Sequence, residues 1–367
     1  MSTSIVHRPF HGGNLTWAAQ LAGCPPSSLL DFSASVSPLG PPATVLAAIQ
    51  AQLSSLATYP DPAYSQLRQG LARHHGISPN WILPGNGAAE LLTWACRELA
   101  TQTACLLPTP AFGDYRRGLQ GFAATIVSCP LLTNQGTEIS LEQAIASAPQ
   151  RQGISPDSGL LLNNPHNPTG RLFHRDQILP LLDTCALVVV DEAFMDFLPP
   201  GQQQSVIDLV GPYDNLVVVR SQTKFYSLPG LRLGYAIAQP ERLQRWQHWR
   251  DPWPVNILAA TAALAAIQDQ PFQQQSWAWL GQARPQLVDG LTQLPGLMPW
   301  PGAANYLLVR SDVPVPPLQE ALLRRHRILI RDCLSFPELG EHYFRVAIRT
   351  PDDNQRLLTA LADVLIG

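Results

Sequence analysis

The sequence predicts an α/β protein, with a large domain of mainly parallel sheet flanked by helices and a smaller α+β domain. Helical and strand patterns alternate through most of the 367 residues, which is typical of β-α units. Continuous apolar, β-branched runs such as 186–191 and 216–220 indicate strands buried on both faces. With 46% hydrophobic residues the chain can bury a sizeable core, and its length favours two domains.

The elements follow that alternation along the chain. We expect residues 1–40 to contribute to the small domain, 41–270 to form the large domain and 271–367 to form the small α+β domain. In the large domain the patterns predict helices at 42–57, 63–75, 87–100, 140–148 and 174–183, and strands at 81–83, 104–107, 124–127, 159–163, 186–191, 216–220 and 233–238. The later part is predicted to be helical from 244 to 294, with strands near 304–309, 328–331 and 343–348 and a final helix at 352–366.

Charge and composition exclude several classes of protein. The net charge of −3 is unlike that of a polycation built to bind nucleic acid, so nucleic acid is not an expected partner. The six cysteines lack metal-ligand spacing, and we expect reduced, mostly buried thiols and no metal site. No apolar run reaches the length of a signal peptide or a membrane span, which predicts a soluble cytoplasmic protein without a membrane partner.

A glycine-rich turn at residues 84–92 joins a predicted strand to a predicted helix. Backbone N–H groups at a helix N-terminus form an anion site, so a phosphate could dock at Asn86 and Gly87. An ordinary β-α turn explains the same residues when they are considered alone.

Two polar segments follow buried strands at the expected carboxyl edge of the sheet, where open α/β sheets bind ligands. Residues 163–170 form a loop that two prolines make rigid, which also fits a purely structural turn. Asp191 ends the next strand. An ionised carboxylate there needs a cationic partner, such as a protonated ring nitrogen, unless the strand end is exposed to solvent.

A lysine follows the strand predicted at 216–220. Lysines are scarce in this chain, and Lys224 is flanked by apolar residues, with Arg232 eight residues further on. That setting is typical of a lysine with a depressed pKa and Schiff-base chemistry. A solvated loop lysine is the alternative.

Together these four segments resemble, in order and spacing, the fold-type I pyridoxal-phosphate enzymes, the aspartate aminotransferase superfamily, over nearly the whole chain. The resemblance implies pyridoxal 5'-phosphate as cofactor, a Schiff base on Lys224 as the catalytic residue, and Asp191 paired with the protonated ring nitrogen. It further implies a homodimer, and cofactor contacts from Asn167 at the ring 3-oxygen, Phe112 stacked on the ring, Asn86, Gly87, Ser221 and Arg232 at the phosphate, and Tyr59 from the neighbouring subunit.

Three further regions narrow the resemblance. Residues 11–14, 31–40 and 327–350 are similar to the branch that holds histidinol-phosphate aminotransferase and, more closely, L-threonine O-3-phosphate decarboxylase of cobalamin biosynthesis. By that similarity the substrate site includes Arg331 at the substrate phosphate, Arg345 with Arg349 at the substrate carboxylate, and His11 and Asn14. The structural alternatives are surface charges at strand edges for the arginines and an N-terminal cap for His11 and Asn14.

Two departures from the family pattern bear on the reaction. Phe194 stands where the aminotransferases carry a tyrosine, which fits the decarboxylase better. Ser35 and Ser37 stand where the decarboxylase pattern has asparagines, so substrate contacts from that strand are open. Two other functions remain: a histidinol-phosphate aminotransferase that uses the same anchors, and an aminotransferase-like sensor. The sensor is disfavoured, because its N-terminal DNA-binding domain would have to precede motifs that begin by residue 11.

Overall fold

The computed structural model describes residues 8–133, 136–148 and 155–366. The chain divides into two compact units. The larger unit comprises residues 39–167 and 171–277, and the smaller unit comprises 8–38, 168–170 and 278–366.

The larger unit is built on a seven-stranded sheet with helices around it. Its helices are α2 (Ala43–Gln52), α3 (Ser65–His75), α4 (Gly87–Leu99), α5 (Gly113–Gly121), α6 (Leu141–Ala146), α7 (Arg175–Thr184), α8 (Pro240–His248), α9 (Ile257–Gln268) and the first turns of α10 (Gln270–Thr292). Its strands are β2 (Ile82–Asn86), β3 (Cys105–Thr109), β4 (Ile126–Pro130), β5 (Gly159–Asn163), β6 (Leu187–Asp191), β7 (Leu216–Ser221) and β8 (Leu233–Ile237).

The strand order is β2-β8-β7-β6-β5-β3-β4. Strands β7, β6, β5, β3 and β4 run parallel, while β8 is antiparallel to both of its neighbours. Because five parallel strands end at one edge, the residues that follow β5, β6 and β7 lie side by side there. The predicted fold class, a mainly parallel sheet flanked by helices, is confirmed.

The sheet has an apolar core on each face. Alternate residues of one strand belong to different cores, so Val188 and Val190 pack into one cluster while Leu187 and Val189 pack into the other. This is the burial pattern of a strand covered by helices on both sides. It explains why β6 is apolar from Leu187 to Val190; the last residue of the strand, Asp191, is a buried carboxylate.

The smaller unit contains a four-stranded antiparallel sheet in the order β12-β13-β10-β9 and a separate parallel pair, β1 with β11. Its strands are β1 (Leu30–Asp31), β9 (Leu297–Pro299), β10 (Tyr306–Ser311), β11 (Ile328–Leu329), β12 (Arg331–Asp332) and β13 (Tyr343–Ala347). Its helices are α1 (Leu15–Ala22), α11 (Val315–Ala321), α12 (Pro351–Ile366) and the later turns of α10.

Several elements differ from the prediction. The turn expected at residues 84–86 belongs to β2, and the helix begins immediately after it at Gly87. The short helices α1, α5 and α11 were not predicted. Helix α5 holds three glycines and α11 holds two prolines, residues with low helix propensity that obscure the pattern.

All six cysteines are free and five of them are buried, as expected. Within the described ranges, no helix has both the length and the apolar composition needed to cross a bilayer.

Candidate active site

The site in the larger unit is centred on Asp191, the last residue of β6. The backbone register places Asn163, the last residue of β5, beside it, and the Asn163 side-chain amide donates to the Asp191 carbonyl oxygen at 2.8 Å. Asn163 Oδ1 in turn accepts the N–H of Asn167 at 2.7 Å. The polar loop after β5 is therefore tied to the strand end that carries the carboxylate.

The Asp191 carboxylate is only 4% exposed, and burial raises its pKa to about 6. Three groups oppose that rise: the Tyr115 hydroxyl donates to Oδ2 at 2.6 Å, the Ala193 N–H donates to Oδ1 at 3.0 Å, and the charge of Lys224 acts on the carboxylate. These groups compensate the burial only in part. A further cation beside Asp191 would complete the compensation, which is what a protonated ring nitrogen supplies.

Lys224 lies in the segment that follows β7 and is half-buried. In the same segment the hydroxyls of Ser221 and Thr223 are 2.7 Å apart, and Ser221 Oγ accepts the Thr223 N–H at 3.3 Å. These bonds shape the short turn between β7 and the lysine.

The N-terminus of α4 lies next to the Arg232 guanidinium. Gly87 has φ of +76°, a backbone conformation that favours glycine, and a Cβ at this position would force the Arg232 guanidinium to shift. Arg232 is exposed and donates to the Pro229 carbonyl oxygen at 3.2 Å. The first N–H groups of a helix have no partner within the helix. Together with the guanidinium they form a cradle suited to a phosphate.

One expected phosphate contact has a different partner. The N–H of Asn86, the last residue of β2, donates to Glu90 Oε2 of α4 at 2.6 Å. The Glu90 side chain also accepts from Trp94 Nε1 at 3.0 Å. The next amides, those of Gly87 and Ala88, begin the helix. The phosphate contacts of Asn86 and Gly87 stay predictions.

The structure places the other predicted cofactor residues as follows. Phe112 is half-buried at the start of α5, where its ring meets the Tyr115 ring edge-on with centroids 5.5 Å apart. Asn167 is buried. Tyr59 is 78% exposed, and its ring lies 4.6 Å from the Trp253 ring.

Sequence reasoning missed Tyr115 and Glu90. Tyr115 lies three residues after Phe112, and Glu90 lies four residues after Asn86. Residues three or four positions apart lie on the same face of a helix. With the helix bounds known, these spacings would have indicated that Tyr115 lies beside Phe112 and that Glu90 reaches back to Asn86.

The predicted phosphate-binding arginine lies in the smaller unit. Arg331, in β12, is buried, and burial lowers the pKa of its guanidinium. It donates to the Ser335 hydroxyl at 2.6 Å and to the carbonyl oxygens of Pro9 and Phe10. The guanidinium therefore joins the N-terminal segment to the turn after β12.

Arg345 lies in β13, and Arg349 lies two residues after the end of that strand. The Arg345 guanidinium lies 4.7 Å from the Tyr306 ring centroid, and burial lowers its pKa. Arg349 is paired with Asp353 at 3.0 Å and donates to the Asp31 carbonyl oxygen at 3.3 Å. Arg345 thus packs on an aromatic ring, whereas Arg349 is ion-paired, and the role of each at the substrate carboxylate stays a prediction.

The N-terminal residues divide in the same way. Asn14 caps α1, its Oδ1 accepting the Trp17 N–H at 3.0 Å, which is the structural alternative for that residue. His11 is exposed. A Cβ at Gly12 would overlap the Ser33 carbonyl oxygen, so the two-glycine sequence lets this segment lie against residue 33.

The residues of the larger unit fit pyridoxal phosphate. A buried, partly compensated carboxylate, a nearby lysine, an aromatic ring at the start of α5 and a phosphate cradle all belong to one edge of the sheet. In the part of the chain that the structure describes, no group of three or more His, Cys, Asp or Glu side chains is placed to hold a metal ion.

Comparison with known proteins gives a consistent result. The profile of the family described as aminotransferase class I and II matches residues 27–361. The chain is 40% identical over 363 residues to threonine-phosphate decarboxylase of Salmonella typhimurium, covering 97% of each protein. It is 32% identical over 363 residues to histidinol-phosphate aminotransferase 2 of Ralstonia nicotianae, covering 96% of this chain and 93% of that one. The structure of L-threonine-O-3-phosphate decarboxylase from Porphyromonas gingivalis matches with a TM-score of 0.79 at 25% identity, over 92% of this chain and 99% of that one.

Proposed function

The chain belongs to the aminotransferase class I and II family, and on that basis we propose that it decarboxylates L-threonine O-3-phosphate in cobalamin biosynthesis, with pyridoxal 5'-phosphate as cofactor. The observation that carries the proposal is the similarity to the Salmonella decarboxylase along nearly the whole chain. The product is then (R)-1-amino-2-propanol O-2-phosphate, because loss of carbon dioxide from Cα leaves the configuration at Cβ unchanged.

The chemistry divides between the cofactor and the protein. Bound pyridoxal phosphate takes up the electron pair that the departing carboxylate leaves on Cα. Asp191 would keep the ring nitrogen protonated. Lys224 would hold the cofactor covalently until the substrate amine takes its place, and the amine so released would return a proton to Cα. The phosphate cradle of Gly87, Ser221 and Arg232 fixes the other end of the cofactor.

Two arginines set which substrate bond breaks. We propose that Arg331 holds the substrate phosphate and Arg345 holds the carboxylate, with His11 at the same substrate site. Anchoring both anions would set the rotation about the Cα–carboxylate bond, and with it the alignment that lets the electrons of that bond pass to the cofactor. Guanidinium groups suit both anions, because each charge-assisted hydrogen bond is worth ~1.5–3 kcal/mol.

The rival function is histidinol-phosphate aminotransferase, which the similarity to the Ralstonia enzyme supports. It needs the same lysine, aspartate and anion anchors but holds Cα–H perpendicular to the ring. Phe194 favours the decarboxylase, because the aminotransferases carry a tyrosine hydroxyl at this position. The choice between the two reactions rests on rotation about one bond, which changes barriers by several kcal/mol.

The purified protein should release carbon dioxide from threonine phosphate without any keto acid. A parallel reaction contains histidinol phosphate and 2-oxoglutarate, and we expect little glutamate there. Abundant glutamate in the second reaction with no carbon dioxide in the first would replace the proposed function by the rival.

We further propose a homodimer, supported by an exposed apolar surface on the larger unit. On and after α2, large apolar side chains recur at helical spacing and remain exposed, and the Tyr59–Trp253 ring pair is also exposed. The exposed fractions are 53% for Leu46, 49% for Leu53, 59% for Leu56, 78% for Tyr59 and 41% for Trp253. A second copy of the chain would cover these residues and bring Tyr59 to its neighbour's phosphate cradle.

We also propose a cytoplasmic location, in keeping with six free thiols.

Replacing Leu56 by glutamate is expected to shift the protein from dimer to monomer and to lower its activity and cofactor affinity together, because a charge would be buried in the interface. Sedimentation across a range of protein concentrations measures the oligomeric state. Met298→Glu, at a similarly exposed apolar side chain of the smaller unit, is the control and should remain dimeric. A fully active monomeric Leu56→Glu variant would refute the role of Tyr59.

The affinity of the cofactor-free protein for pyridoxal phosphate is expected to rise with pH up to about 6 and then level off. The pKa of Asp191 is about 6, so below that pH the carboxyl is protonated and cannot pair with the protonated ring nitrogen. Below the pKa, linkage gives a change of up to about tenfold per pH unit. In Asp191→Asn the affinity can still change with pH because the cofactor's own phosphate ionises, but the part due to Asp191 is lost. The affinity of this variant should therefore change less with pH. Identical slopes for the two proteins would contradict the pairing.

A further inference from the structure

Both oxygens of the Asp191 carboxylate have a donor within the protein, and the two donors differ in kind. Oδ1 accepts the backbone N–H of Ala193 at 3.0 Å, two residues along the chain. Oδ2 accepts the hydroxyl of Tyr115 at 2.6 Å, from a residue 76 positions away in sequence. Tyr115 and Asp191 are both nearly fully buried, at 3% and 4% exposure. Water therefore has little access to replace the phenol.

Tyr115 is held by a backbone hydrogen bond and by a ring contact. Its N–H donates to the Phe112 carbonyl oxygen at 3.0 Å in the first turn of α5, and its ring meets the Phe112 ring edge-on. One helical turn therefore carries both the side chain expected to stack on the cofactor ring and the side chain bonded to the carboxylate expected at the ring nitrogen.

The chemical type of the donor matters. A lysine or arginine bonded to Oδ2 would stabilise the carboxylate but would also neutralise it, and would compete with the ring nitrogen for the same charge. A phenol ordinarily titrates near pH 10, so it donates a hydrogen bond and keeps its proton. It stabilises the anion and leaves the full negative charge available to a ring cation.

We propose that Tyr115 is a positioning residue for the cofactor's ring nitrogen: its hydroxyl fixes the orientation of the Asp191 carboxylate and keeps it anionic. This inference rests on the proposed function only in requiring that pyridoxal phosphate binds. Tyr115 acts through Asp191 and makes no contact with the substrate in this role.

The test compares the affinity of the cofactor-free protein for pyridoxal phosphate with its affinity for 1-deazapyridoxal phosphate, in which carbon replaces the ring nitrogen. Tryptophan fluorescence quenching measures both dissociation constants. Tyr115→Phe removes one hydroxyl and keeps the ring. We expect it to reduce the preference for pyridoxal phosphate over the deaza compound by about tenfold or more, because a hydrogen bond to a charged group is lost. The affinity for the deaza compound should stay nearly unchanged.

Tyr235→Phe is the matched control. Tyr235 is a buried tyrosine on β8 whose hydroxyl is bonded to His75 Nε2 at 2.7 Å and, among the described residues, has no bond to Asp191. Loss of the Tyr235 hydroxyl should destabilise the protein without changing the ratio of its affinities for pyridoxal phosphate and 1-deazapyridoxal phosphate. In an Asp191→Asn background, Tyr115→Phe should no longer change that ratio.

An equal loss of affinity for both compounds, or no loss for either, would overturn the role of Tyr115. If Tyr115→Phe does not fold, Tyr115→His keeps a ring and an N–H donor, and loss of the preference in that variant would overturn it equally. Failure of the unmodified protein to bind pyridoxal phosphate would instead overturn the proposed function, so the two failures are distinguishable.

Discussion

Replacing Lys224 by alanine is expected to lower the rate of decarboxylation by about 1000-fold or more, because covalent attachment of the cofactor and the return of a proton to Cα are lost together. Lys224 is the only lysine in the 367-residue sequence, so no other side chain can take over the attachment. Lys224→Arg keeps a cation near Asp191 but has no amine that can form a Schiff base, and its loss should be similarly large.

The covalent attachment can be measured without reference to activity. The protein with cofactor should be yellow, and reduction with borohydride should fix one pyridoxyl group per chain on the peptide that contains Lys224. Because no second lysine exists, a label anywhere other than the amino terminus must lie on that residue. The assignment would be wrong if the label were found at the amino terminus, or if Lys224→Ala retained both colour and activity.

Replacing Arg331 by alanine is expected to weaken binding of threonine phosphate by about 100-fold or more, since two charge-assisted hydrogen bonds to the phosphate are lost. Unphosphorylated threonine, which offers no dianion, should lose far less. The affinity for each compound is measured from its turnover, or from its inhibition of the reaction, with the same protein preparation.

Two controls separate recognition of phosphate from loss of structure. Arg310→Ala removes an exposed arginine from β10 of the same sheet and should affect neither compound. Ser335→Ala removes one partner of Arg331 and leaves the guanidinium in place. Equal losses for threonine and threonine phosphate in Arg331→Ala would mean that Arg331 supports the N-terminal segment and does not bind the phosphate.

The glycine turn shows both the strength and the limit of prediction from local sequence. Residues 84–92 indicated an anion site at a helix N-terminus, and the structure places Arg232 there beside Gly87. The same pattern could not indicate that the Asn86 N–H bonds to Glu90, because that depends on where the strand ends and the helix begins. A shift of one residue in that boundary decides which amides remain available to a phosphate.

Asn14 and Arg349 show the same limit in the smaller unit. An asparagine or an arginine can bind a substrate, and it can equally well cap a helix or form an ion pair. The sequence does not show which of these partners lies within bonding distance. In the structure Asn14 Oδ1 accepts the Trp17 N–H and Arg349 is paired with Asp353, and the substrate roles of both residues stay predictions.

The sequence alone determined the fold class, the family and the identity of the cofactor, because these depend on the order of apolar strands and on which polar residues follow them. Buried strands have a strong apolar pattern, and side chains that follow parallel strands must meet at one edge. The tertiary structure alone decided how Asp191 is held. Tyr115 lies 76 residues away in sequence and meets the carboxylate only because the packing of α5 brings the phenol to 2.6 Å from Oδ2. Contacts of this kind depend on distances between elements, which no local pattern records.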